Sequence, residues 1–339
     1  MTRDGILKLA LDLKRGMKVF EVNDKTYSAP EATEVLRAAL IEANGGSAKF
    51  DRKALRRNKV EIFEIIETLV NVIVNEGFKG DEFWTRFVDE RNLALGDKNE
   101  FVVPENSEFV VSKIADGILT PRRQRIGKQT TLSVDTEYRI IRAYEEFSRF
   151  MSGRIDWVDV CDRVAKAFQK AMWTDIYTAF TGINETTAPL NGTYIVNGAY
   201  DEDALLEICE HVEATTGKTV YICGAASALR KCTTAVVSHK AQDALYDNGY
   251  YGKFNGYDMI KLNQIHAPGT DTFILPSNEL YIVAGDDQFI KFVREGDTEI
   301  IERDYSQNAD ATQEYLMREK WGVAVVFSGK GFGKYTIAA

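Results

Sequence analysis

The chain has 339 residues, 45% of them hydrophobic, which is enough for two or three packed cores. Its 42 Lys and Arg against 51 Asp and Glu leave a formal charge of −9, which excludes a general nucleic-acid binder. No apolar run reaches the roughly 20 residues that a membrane-spanning helix needs.

Charge is uneven along the chain. Residues 1–60 hold 13 Lys and Arg against 8 Asp and Glu, so a basic first segment precedes an acidic body. Such an arm suits either an acidic partner or a solvated helical face. Charges throughout Met1–Gly5 leave no signal-peptide core, so the chain reads as soluble and intracellular, and the sequons at Asn184 and Asn191 read as chance matches. Four cysteines and three histidines show no zinc-type spacing. The nearest approach, Cys209-Glu210-His211, falls in an expected helix where i and i+2 diverge. The cysteines read as small buried residues of a reduced compartment.

A first helix is expected over 28–44, with Ser28 and Glu31 as a capping box and Asn44-Gly45-Gly46 as the stop. A second spans 58–76, placing Ile62, Ile65, Ile66, Leu69, Val72 and Ile73 on one side. Residues 101–141 read as a long two-stranded excursion carrying Arg122, Arg123, Arg125 and Lys128 at its tip. An isolated hairpin is marginal in water, so this excursion is either disordered or laid on a neighbouring molecule. The longest helix is expected over 157–180, where Trp157, Cys161, Val164, Phe168, Met172, Ile176 and Phe180 recur every three or four residues. An α/β unit follows: helix 201–216, buried strand 219–222, helix from 224. Strands are then expected at 259–265, 279–285, 289–296, 298–303 and 315–327.

Candidate catalytic groups do not survive inspection. Ser328-Gly329-Lys330-Gly331-Phe332-Gly333-Lys334-Tyr335 resembles a phosphate loop, but it begins with Ser and Tyr335 follows the lysine. It reads as a flexible turn between two terminal strands. Asp286-Asp287 falls in a turn, no G-x-S-x-G is present, and Cys223 before Gly224 reads as a small buried residue at a βα turn. The basic loop cluster has three readings: a solvated turn, a docking surface for a neighbour's acidic patch, or nucleic-acid contact. No aromatic residues interleave with it, which disfavours single-strand binding.

The order of long helix, α/β unit and β tail resembles the major capsid proteins of tailed bacteriophages, whose Johnson fold is shared with encapsulins. Asn255-Gly256-Tyr257-Asp258, continuing through Ile260, Pro268 and Pro276 to Val283-Ala284-Gly285 and Lys291–Gly296, carries the resemblance, together with Glu314–Val325. It implies an α+β fold: an N-terminal arm and helical region (1–100), an extended loop (101–150), a peripheral domain with a spine helix (151–195), an axial domain (196–295) and peripheral C-terminal strands (296–339). It further implies a structural subunit, not an enzyme. No cofactor, metal or membrane is implied, and Arg122, Arg123, Arg125 and Lys128 become inter-subunit contacts. The implied partners are further copies in hexamers and pentamers, scaffolding, portal and decoration proteins, and packaged double-stranded DNA held by non-specific contact. The implied location is the virion, assembled in the host cytoplasm. The N-terminal region is larger than the minimal family pattern, and no crosslinking Lys–Asn pair is identifiable. An encapsulin-like compartment shell and an α/β enzyme with an unrecognised site are the alternatives.

Overall fold

The computed structural model describes residues 81–103, 109–113, 123–125, 130–144, 157–182, 194–233, 239–285, 288–303, 314–326 and 331–338, with scattered residues before 81. The expected helices at 28–44 and 58–76 are described only at 34, 35, 38 and 42 and at 64, 67, 68, 70–72 and 74, all of them helical. The rest of both lies outside the described residues.

β1 (Phe20–Val22) and β2 (Lys25–Tyr27) form a small hairpin. A short helix α1 (Glu82–Phe87) begins at Asp81, whose carboxylate accepts a hydrogen bond from the Trp84 amide at 3.1 Å. β3 (Val88–Leu93), β4 (Glu100–Val103), β5 (Thr130–Ser133) and β6 (Glu137–Tyr144) precede the long helix α2 (Trp157–Thr181). β7 (Ile195–Gly198), α3 (Glu202–Thr216), β8 (Val220–Ala225), α4 (Ala226–Leu229) and α5 (His239–Asn248) make the α/β part. β9 (Lys253–Phe254), β10 (Tyr257–Leu262), β11 (Glu279–Ala284), β12 (Ile290–Glu295), β13 (Glu299–Arg303), β14 (Glu314–Val325) and β15 (Phe332–Ile337) follow.

The strands sort into two main sheets. One has the order β7-β15-β11-β8-β10-β9, in which β8 and β10 run parallel, as do β7 and β15. The turn from β9 to β10 uses Asn255 at φ 46° and Gly256 at φ 96°, the left-handed pair that a tight hairpin requires. The other sheet has the order β13-β14-β12-β3, with β6 on the far edge of β14. β12 and β13 are consecutive partners of the same long strand β14, separated by a break at Gly296–Thr298.

α2 joins the two sheets. Val164, Phe168, Met172, Ile176 and Phe180 are all buried, as their spacing requires. Phe168 meets Trp321 of β14 edge-on at a centroid distance of 6.0 Å, whereas Phe180 lies 4.5 Å from Tyr281 of β11 and 5.8 Å from Phe332 of β15. The side chains of Trp157 and Cys161 lie outside the described residues. One continuous core runs from Trp84 and Phe292 through α2 to Phe332. A second fills the space under α3.

Three features lie outside the sequence reading. Val88–Leu93 is polar but forms an edge strand because it pairs in parallel with all of β12, and Asp89 is ion-paired with Lys291 of β12 at 2.8 Å. The glycine-rich segment is a strand from Phe332 onward, while Ser328–Lys330 lie outside the described residues. Gly333 is required there because a Cβ would run into the Ile208 side chain of α3. Strand pairing also crosses the expected domain limits: β12 joins the five-stranded sheet, and β15 leaves β13 and β14 to enter the six-stranded one.

Candidate assembly interface

β4 and β5 flank the segment expected as the extended loop. These strands pair antiparallel from Glu100↔Ser133 to Val103↔Thr130. Their root is anchored by a small core of Phe101, Val134 and Val293, with the Arg91 guanidinium 3.9 Å from the Phe101 ring centroid. Farther out, the Gln124 side-chain amide donates to the Val110 carbonyl and accepts from the Val110 amide, each at 2.7 Å. One side chain thereby imitates a β-bridge.

The loop presents apolar residues to solvent. Val102, Phe109, Val110 and Val111 are 57–93% exposed. Arg123 and Arg125 flank the Gln124 clasp and are exposed. Arg122 and Lys128 lie outside the described residues. This exposed apolar surface is suited to being covered by another molecule.

Both roots of the loop converge on Glu295 at the end of β12. Oε1 accepts from the Gly96 amide at 3.0 Å; Oε2 accepts from Thr136 Oγ1 at 2.6 Å and from Lys320 Nζ at 2.7 Å. The bond from Lys320 foremost, with those from Thr136 and Gly96, holds the Glu295 carboxyl down at about 2. Asn99 Nδ2 donates to the Val134 carbonyl at 2.5 Å, and Gly322 of β14 lies so close to the Asp135 carbonyl that a Cβ would collide with it.

A buried polar cluster fills the break between β12 and β13. Glu319, 2% exposed, accepts from Arg294 Nη2 at 3.4 Å and from the Thr298 hydroxyl, which also contacts Asn71 Oδ1 at 2.7 Å. Glu319 Oε2 is buried without a hydrogen-bond partner. Burial raises the Glu319 carboxyl, and the nearby Arg294 charge only partly offsets this.

No catalytic constellation forms among the described residues. Burial pushes the Cys223 thiol up, and those of Cys209 and Cys232 up to about 12, which removes the thiolate that a nucleophile needs. Lys334 pairs with Glu279 at 2.9 Å instead of facing a phosphate. Asp286 and Asp287 lie outside the described residues. Among the described residues no His, Cys, Asp and Glu group could hold a metal ion, and no helix is long and apolar enough to cross a membrane.

Over residues 10–336 the chain matches the family described as SPbeta prophage-derived putative capsid protein YonB. The chain belongs to this capsid family. No curated protein matches it. Among solved structures, the capsid of a native GTA particle computed with C5 symmetry superposes with a TM-score of 0.51 at 11% identity, covering 75% of this chain and 89% of that one. The mature capsid of bacteriophage PhiM1 gives 0.48 at 10% identity, covering 77% and 86%. The holo-SrpI encapsulin complex from Synechococcus elongatus PCC 7942 gives 0.42 at 10% identity, covering 74% and 84%. The chain is therefore a structural capsid protein with the mixed α and β capsid fold, a virion component and not an enzyme.

Proposed function

We propose that copies of this chain form the pentamers and hexamers of an icosahedral head that encloses double-stranded DNA and is assembled in the host cytoplasm. The observation that carries this reading is the extended loop, whose exposed Val102, Phe109, Val110 and Val111 stand on a root fixed to the sheet. A ring-closing subunit needs such a surface, because each copy must offer one patch and accept a different one. The five-stranded sheet with α2 corresponds to a peripheral domain and the six-stranded sheet to an axial domain. Scaffolding, portal and decoration proteins are further partners in this reading, and DNA is held by non-specific contact. The test is electron microscopy and light scattering of the purified protein at rising concentration, with analysis of the contents. DNA-filled or empty shells built of rings are expected. A cargo protein inside would favour an encapsulin-like compartment, and a monomer at every concentration would end the proposal.

Arg122, Arg123, Arg125 and Lys128 are assigned to docking on an acidic patch of the adjacent subunit. Reversing all four charges should leave the subunit folded and slow assembly by about tenfold or more, and wild-type assembly should weaken as salt rises. Scattering at two salt concentrations reads this. Normal kinetics would remove the docking role. Normal empty shells with impaired packaging would point to DNA contact instead.

A further inference from the structure

We propose that Glu295 is the positioning residue of the extended loop, setting the direction in which the loop leaves the subunit by holding both roots and β14 at one carboxylate. The inference rests on the reading that the loop docks on a neighbouring copy, and it adds what aims the loop. Three donors from three separate segments meet there: the Gly96 amide before β4, the Thr136 hydroxyl between β5 and β6, and Lys320 on β14. Glu295 thereby ties both loop roots to the sheet. A carboxylate suits the task because its two oxygens offer about four acceptor sites and its bonds to a cation are short and directional.

The apolar anchor cannot do this alone. Packing of Phe101, Val134 and Val293 holds the root down but is non-directional. The Glu295 bonds add direction, and leverage makes direction matter. The seven residues from Val103 to Val110 span at most about 25 Å, so a swing of about 10° at the root moves the Gln124 clasp by up to about 4 Å. A shift of that size separates apolar side chains that must be in contact. Leu95 reinforces the arrangement, since it packs where a Cβ on Gly296 would sit, immediately after Glu295.

The experiment uses the full chain, as Glu295→Ala and Thr136→Val, with hydrogen exchange on the unassembled subunit followed by assembly. Glu295→Ala should speed exchange at 100–103 and 131–134 by about tenfold, leave β8 and β11 unchanged, and give slow assembly with shells of mixed size. Thr136→Val should do the same to a smaller degree. Unchanged exchange at the roots in both variants would overturn the proposal, as would loosened roots with wild-type assembly rate and shell size. If Glu295→Ala also exposes β8 and β11, it has unfolded the subunit, and Thr136→Val decides alone. Should the four-site charge reversal assemble normally while Glu295→Ala loosens the roots and disturbs assembly, docking by the basic cluster fails and positioning by Glu295 stands.

Discussion

Phe168→Ala is expected to destabilise the subunit by about 3–5 kcal/mol, the usual cost of deleting a buried aromatic ring. Phe168 is 1% exposed and stands perpendicular to Trp321 across the contact between α2 and β14. The cavity would open where the long helix meets the five-stranded sheet. Chemical denaturation should show a lower midpoint, and soluble folded protein should fall before any surface contact is affected. An unchanged melting temperature would mean that the α2 face does not bear this load.

Arg294→Met should cost a similar amount at neutral pH, about 3–5 kcal/mol, because it leaves the Glu319 carboxylate buried without its cation. Glu319 already has a raised pKa from burial, and loss of Arg294 raises it further. A folded-state pKa above the unfolded value means that stability declines as pH rises from about 4.5 through the folded value. The deficit of Arg294→Met should therefore be smallest in mild acid and full at neutral pH, and adding Glu319→Gln should recover part of it and flatten the pH dependence. A deficit independent of pH would show that Glu319 is not the group left exposed to the loss. Glu295 should act oppositely: its carboxyl, held at about 2, supports the fold above the unfolded value and loses that contribution as pH falls towards 2.

What the sequence made legible was periodic. The α2 face and strands β8, β11, β12 and β14 follow from spacing alone, since each is locally amphipathic or continuously apolar. β3 was illegible because its stability lies in pairing with β12, about 200 residues away, and not in its own polar side chains. β15 was obscured by glycines that signal a turn locally, although Gly333 serves the approach of α3. The pairing of β4 with β5 was legible as two extended runs, yet the residues that tie their ends to the sheet were not. Glu295, Gly96, Thr136 and Lys320 are unremarkable in sequence, and only the fold brings them together. Position Gln124, which pairs with Val110 as a strand would, had no local signal either.

The place of β15 bears on when the subunit becomes competent. It follows every other strand in sequence, yet it lies between β7 and β11 in the sheet, with Lys334 beside Ile195 and Tyr335 beside Leu280. On the ribosome, β7 therefore waits for a partner made well over a hundred residues later, and the six-stranded sheet cannot close until synthesis has passed Ile337. A nascent or prematurely ended chain would lack the strand that joins β7 to the rest.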